Sequence, residues 1–176
     1  MTFISNLING ISLGSVYAMI ALGYTMVYGI AKMLNFAHGD VIMVGAYISF
    51  CASAYLGLPP VLSVLLAMLV CTLLGIGIEA FAYKPLRRAG SLSVLITAIG
   101  VSYLLQNIAL LIWGSNPKSF TSIVTFGSLS LFDGKLIITA ESIVTVIACV
   151  IIMIVLTLFT KKSRMGKAMR AVSEDK

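Results

Sequence analysis

Hydrophobic residues run through this chain in long blocks, and polar residues gather in the short stretches between them. Residues 1–31 and 41–78 hold no Asp, Glu, Lys, Arg or His. A helix needs about 20 apolar residues to cross the hydrocarbon of a bilayer. The pattern predicts five such segments, at Ile4–Ile30, Val41–Leu56, Val61–Tyr83, Ser91–Trp113 and Ser142–Thr160. Pro59-Pro60 separates the second from the third, and the second is the shortest. The fold class expected is all-α, a polytopic transmembrane helix bundle. Residues 1–160 form its membrane region, and 161–176 form a cytoplasmic amphipathic segment.

Two connections carry patterns of their own. Gly114–Glu141 is the longest, with turn signals at Asn116-Pro117 and Asp133-Gly134. Its middle, Phe120–Phe132, is rich in β-branched and aromatic residues and suits a short hairpin or a helix lying on the membrane equally. After the fifth segment, Met165, Ala168, Met169 and Val172 fall at i, i+3, i+4 and i+7. That spacing puts them on one helical face. Arg164, Lys167, Arg170 and Glu174 avoid that face, so a short amphipathic helix is predicted. It would rest on anionic lipid or dock into a partner's groove.

Composition agrees with a membrane protein. The chain is 60% hydrophobic and 10% charged, with a mean hydropathy of +1.07. A soluble domain is nearer half apolar and a quarter charged. The net charge of +6 lies beside apolar segments rather than on a basic-aromatic platform, which argues against nucleic acid. Basic residues also set an orientation. With five crossings, one side receives Lys32, Lys84, Arg87, Arg88, Lys161, Lys162, Arg164, Lys167, Arg170 and Lys176, and the other only Lys118 and Lys135. The positive-inside bias then puts the N-terminus outside and the C-terminus in the cytoplasm. Trp113 fits an interfacial anchor at the outer end of the fourth segment. The start lacks the basic region of a signal peptide.

Polar groups inside apolar segments are the candidate chemistry, because each needs a partner or a water path there. The densest set is Asn35-Phe36-Ala37-His38-Gly39-Asp40, with the only histidine of the chain. Its residues suit capping of a broken helix, contact with a transport path or gate, or proton transfer. Asp40 is placed to cap the second helix. Glu79 is the one acid within an apolar segment, and pairing with Lys84, Arg87 or Arg88 is expected. Asn6, Asn9, Gln106 and Asn107 call for interhelical hydrogen bonds or a polar cavity. Gly10, Gly14 and Ala18 form a small-residue stripe suited to close helix packing.

Other chemistries lack their residues. The Gly-x4-Gly-Lys-Ser/Thr phosphate loop is missing, so ATP, if used, sits on another chain. One histidine and no nucleophile motif leave no triad. Cys51, Cys71 and Cys149 have no metal-ligand spacing and read as small apolar residues. No cofactor is expected, and an enzyme is not.

Several stretches, in order, resemble the membrane permeases of branched-chain amino acid ABC importers. They are Gly23-Tyr24-Thr25-Met26-Val27-Tyr28-Gly29, Asn35–Asp40, Gly45-Ala46-Tyr47, Tyr83-Lys84-Pro85-Leu86-Arg87, Ile99-Gly100 with Leu105-Gln106-Asn107, and Gly166-Lys167-Ala168-Met169-Arg170-Ala171-Val172. The resemblance implies a permease subunit with a second permease, cytoplasmic ATP-binding subunits and an extracytoplasmic solute-binding protein as partners. It implies that Gly166, Met169 and Arg170 belong to a cytoplasmic segment meeting the ATPase. Asn35, His38, Gly39, Asp40, Gln106 and Asn107 are then candidates for the substrate path or its gate. Substrates would be leucine, isoleucine and valine, or urea and short amides as in close relatives. The family continues beyond the stretch matched here, so the chain corresponds to a member's N-terminal portion. The location implied is a bacterial or archaeal plasma membrane. An ion-coupled carrier or channel is the competing class. It is disfavoured because Asp40, Glu79 and Glu141 all lie towards segment ends.

Overall fold

The computed structural model describes residues 2–31, 35–86, 89–119, 129–131 and 136–174. They form α1 (Thr2–Ala31), α2 (His38–Ala54), α3 (Pro60–Ile78), α4 (Ser91–Trp113), β1 (Leu129–Leu131), β2 (Leu136–Ile138), α5 (Ala140–Lys162) and α6 (Arg164–Glu174). A π turn at Glu79–Tyr83 and a 3-10 turn at Lys84–Leu86 extend α3. Among the described residues, four helices are long and apolar enough to cross a membrane: Phe3–Gly29, Pro60–Leu86, Leu92–Trp113 and Ala140–Lys162. At 17 residues, α2 is shorter. It rises about 25 Å, less than the ~30 Å of a hydrocarbon core.

Element ends follow local chemistry. Gly57 takes a left-handed φ of 61° after α2, a conformation that costs a side-chain-bearing residue energy. Pro60 then starts α3, where its missing N–H is no loss. Gly114, at φ 76°, closes α4 and donates its N–H to the Leu110 carbonyl. Lys161 and Lys162 occupy the last turn of α5 and Glu141 its first, each favourable to the helix dipole. Strands β1 and β2 pair antiparallel, Leu129 with Ile138 and Leu131 with Leu136. Of the segment Phe120–Phe132 expected as hairpin or surface helix, only Leu129–Leu131 is described, as β1, and its partner strand β2 lies beyond that segment. Residues 120–128 lie outside the described set.

The chain forms two compact units, residues 1–32 with 122–176, and residues 33–121. In the first, α1 packs along α5, and α6 touches both. In the second, α2 lies against α3 and α4. Both units expose large apolar side chains, and the second also buries polar ones. Leu111 is 85% exposed and Phe81 88%, whereas Asp40 and Ser63 are buried. Aliphatic side chains facing outward around buried polar ones suit lipid or a partner rather than water. Helix hydroxyls are likewise satisfied locally. Thr72, Thr97, Thr157 and Thr160 each donate to the carbonyl four residues back.

Candidate functional site: a polar seam around the start of α2

Residues 35–40 open the second unit. Asn35 folds back on its own backbone, its Oδ1 accepting the Ala37 N–H at 3.1 Å. Its carbonyl accepts the His38 N–H at 3.2 Å. This local turn starts α2 without a side-chain cap from Ala37. Asn35 Oδ1 also accepts the Tyr83 hydroxyl at 2.8 Å. Tyr83 stands in the π turn, whose wider winding re-aims side chains along the helix. Ala37 is fully buried at this junction.

Asp40 is 8% exposed. It stands in the first turn of α2, where its charge suits the helix dipole. Both oxygens, however, reach across to α4. Oδ2 accepts the Ser102 hydroxyl at 2.5 Å, and Oδ1 accepts the Gln106 amide at 3.0 Å. Gln106 also donates to Ser102 at 3.2 Å. Asp40, expected to cap the second helix, stands in its first turn with Ala37 at the cap position, and its hydrogen bonds anchor α2 to α4 instead. Farther along, Trp113 donates its indole N–H to Cys51 Sγ at 3.1 Å and stacks on Tyr47 at 4.5 Å. Contacts therefore advance together along α2 and α4, which makes the two helices parallel.

Against α3 the order reverses. Asn35 meets Tyr83, while Val41 accepts a hydrogen bond from the Cys71 thiol at 3.5 Å. A Cβ on Gly45 would sit 2.9 Å from Cys71 Sγ, so glycine lets α2 and α3 approach. The polar seam consequently slopes. Asn35 is level with the end of the extended α3, and Asp40 is level with the middle of α4.

The sequence-predicted residues do not all converge. Asn35, Asp40 and Gln106 are tied into the seam, and His38 and Gly39 flank it in the first turn of α2. Asn107 instead donates to its own helix, to the Tyr103 carbonyl at 2.7 Å, and is exposed. Ser102 and Tyr83 were not singled out as site residues. The i, i+4 spacing of Ser102 and Gln106 was the available signal, since it sets both on one face of α4. Arg87 and Arg88, expected near Glu79, lie outside the described residues.

The second predicted set sits where α5 meets α6. Ser163 caps α6, its hydroxyl accepting the Gly166 N–H at 2.8 Å. Gly166 is buried, and a Cβ there would fall 2.4 Å from the Thr160 carbonyl oxygen. Arg170 donates to the Lys161 carbonyl at 3.0 Å. Gly166 and Arg170 thus bind α6 to the end of α5. Of the apolar stripe, Met165 is 63% exposed, Ala168 is exposed and Met169 is half-buried.

Residues 6–176 match the family described as branched-chain amino acid transport system / permease component. The chain belongs to this permease family. Among relatives, the high-affinity branched-chain amino acid transport system permease protein BraD of Pseudomonas aeruginosa is 41% identical over 98% of this chain and 60% of its own length. The corresponding LivH protein of Salmonella typhimurium is 42% identical over 98% of this chain and 59% of its own. A probable LivH protein of Methanocaldococcus jannaschii is 30% identical over 89% and 50%. The chain thus spans about three-fifths of the length of the two bacterial relatives. No solved structure matches it. Permease membership and four apolar helices of membrane-crossing length make this a multi-pass membrane protein.

Proposed function

We propose that this permease-family chain forms part of the membrane path of an ATP-driven importer of branched-chain amino acids or related small polar solutes. Its partners are a second permease subunit, cytoplasmic ATP-binding subunits and an extracytoplasmic solute-binding protein, within a bacterial or archaeal plasma membrane. ATP is hydrolysed on the partner subunits. The N-terminus faces outward, in keeping with the ten-to-two division of basic residues.

The observation that carries the reading is the sloping seam of residues 35–40. With α4 crossing the bilayer over its rise of about 34 Å, Asp40 stands near mid-depth, not towards a membrane surface as its place in the sequence suggested, and Asn35 near the cytoplasmic end. The ion-coupled alternative is then disfavoured by the family match rather than by the position of this acid. A non-helical entry into a helix at that depth is tolerated where protein or water, not lipid, surrounds it. Asn35, His38, Gly39, Asp40 and Gln106 border the path or its gate, and Asn107 stands on the neighbouring face of α4.

Coupling to ATP runs through α6. Gly166 and Arg170 fix it on α5, which leaves Met165, Ala168 and Met169 as the docking stripe. Met165→Glu with Met169→Glu should abolish co-purification of the ATP-binding subunits with the assembled permease. Unchanged co-purification of this double variant would remove the coupling role.

A further inference from the structure

A groove of about 410 Å3 in the second unit lies beside the α2–α4 contacts, away from Asp40. Met43, Ala46, Tyr47 and Phe50 give it one face of α2, at helical spacing, with Ser49 at its rim. Lys118, from the segment after α4, completes it. The Tyr47 wall is fixed in advance, because its ring stacks at 12° on Trp113 and Trp113 is tied to Cys51. The Lys118 side chain is exposed, and among the described residues no acid pairs with it.

We infer that this groove binds an anionic phospholipid, with its acyl chain on the α2 face and its head group at Lys118. The charge pattern selects the ligand. One cation at an apolar wall suits an amphiphile whose head is negative. A free amino acid would also bring an ammonium group, and none of the six lining residues is an acid that could receive it. An aromatic pair beside a lysine is the arrangement that holds side chains at a head-group boundary.

Trp113 is the only tryptophan of the chain and touches the groove wall, so its fluorescence reads occupancy. The purified chain is reconstituted in phosphatidylcholine vesicles carrying an equal fraction of dibrominated phosphatidylglycerol or dibrominated phosphatidylcholine. The phosphatidylglycerol should quench with roughly fivefold preference, as expected for one lysine at an anionic surface. Lys118→Gln should remove that preference, while Lys161→Gln, in the other unit, should keep it. Equal quenching by the two lipids in the unaltered chain would overturn the proposal, as would a preference surviving in Lys118→Gln. Relief of quenching by added leucine would assign the groove to the transported solute instead and overturn the lipid assignment.

Discussion

A carboxylate in an apolar bundle is stabilised only by the donors that reach it, and Asp40 has two neutral ones from α4. Removing one leaves a buried acceptor half satisfied. Ser102→Ala should therefore cost about 1.5–3 kcal/mol, the worth of a hydrogen bond to a charged group. Thermal unfolding in detergent reads this loss directly, and an unchanged midpoint would mean that the bond carries no net stability. At this scale the sequence was half legible. The polarity of Asp40 and Gln106 within apolar segments announced that each needed a partner. That they partner each other depends on helix register across 66 residues, which no local pattern encodes. Asn107 shows the opposite case, since its own helix receives its amide N–H at the Tyr103 carbonyl.

Glycines show how elements meet. Gly166 admits the Thr160 carbonyl, a backbone atom that a side chain cannot displace cheaply. Gly166→Ala should destabilise the α5–α6 joint by about 1–3 kcal/mol, as overpacking does. Protease nicking near Ser163 would report it, and a variant as resistant as the parent would refute the close fit. At Gly45 the obstacle is the Cys71 sulfur, an atom that can be removed. Gly45→Ala should destabilise the α2–α3 contact, and adding Cys71→Ala should restore much of it. A double-mutant cycle should give a coupling of about 1 kcal/mol; strict additivity would contradict the packing described. Element positions themselves were legible, because long apolar runs and helical spacing are local signals. Ser91–Trp113 was placed to the residue, and α6 was foreseen from its stripe. The π turn was not; it coincides with the tertiary hydrogen bond from Tyr83 to Asn35, which no local pattern announces. The Gly10, Gly14 and Ala18 stripe stays exposed on α1, with no atom within 4 Å of a Cβ on either glycine.

The described residues turn large apolar side chains outward, the inverse of a protein folded in water, and bury two polar ones, Asp40 and Ser63, among small apolar neighbours. This inversion and the family match make it a multi-pass membrane permease component. Its proposed work requires partners, so the decisive measurement is made on the assembled importer. The complete transporter is reconstituted in proteoliposomes with its solute-binding protein, and uptake of radiolabelled leucine is followed with and without ATP. Uptake should require ATP, and Asp40→Ala should lower it at least about tenfold, the scale of losing one well-made charged hydrogen-bond set. Leucine uptake driven by a proton gradient alone, with no ATP and no ATP-binding subunits, would contradict the account.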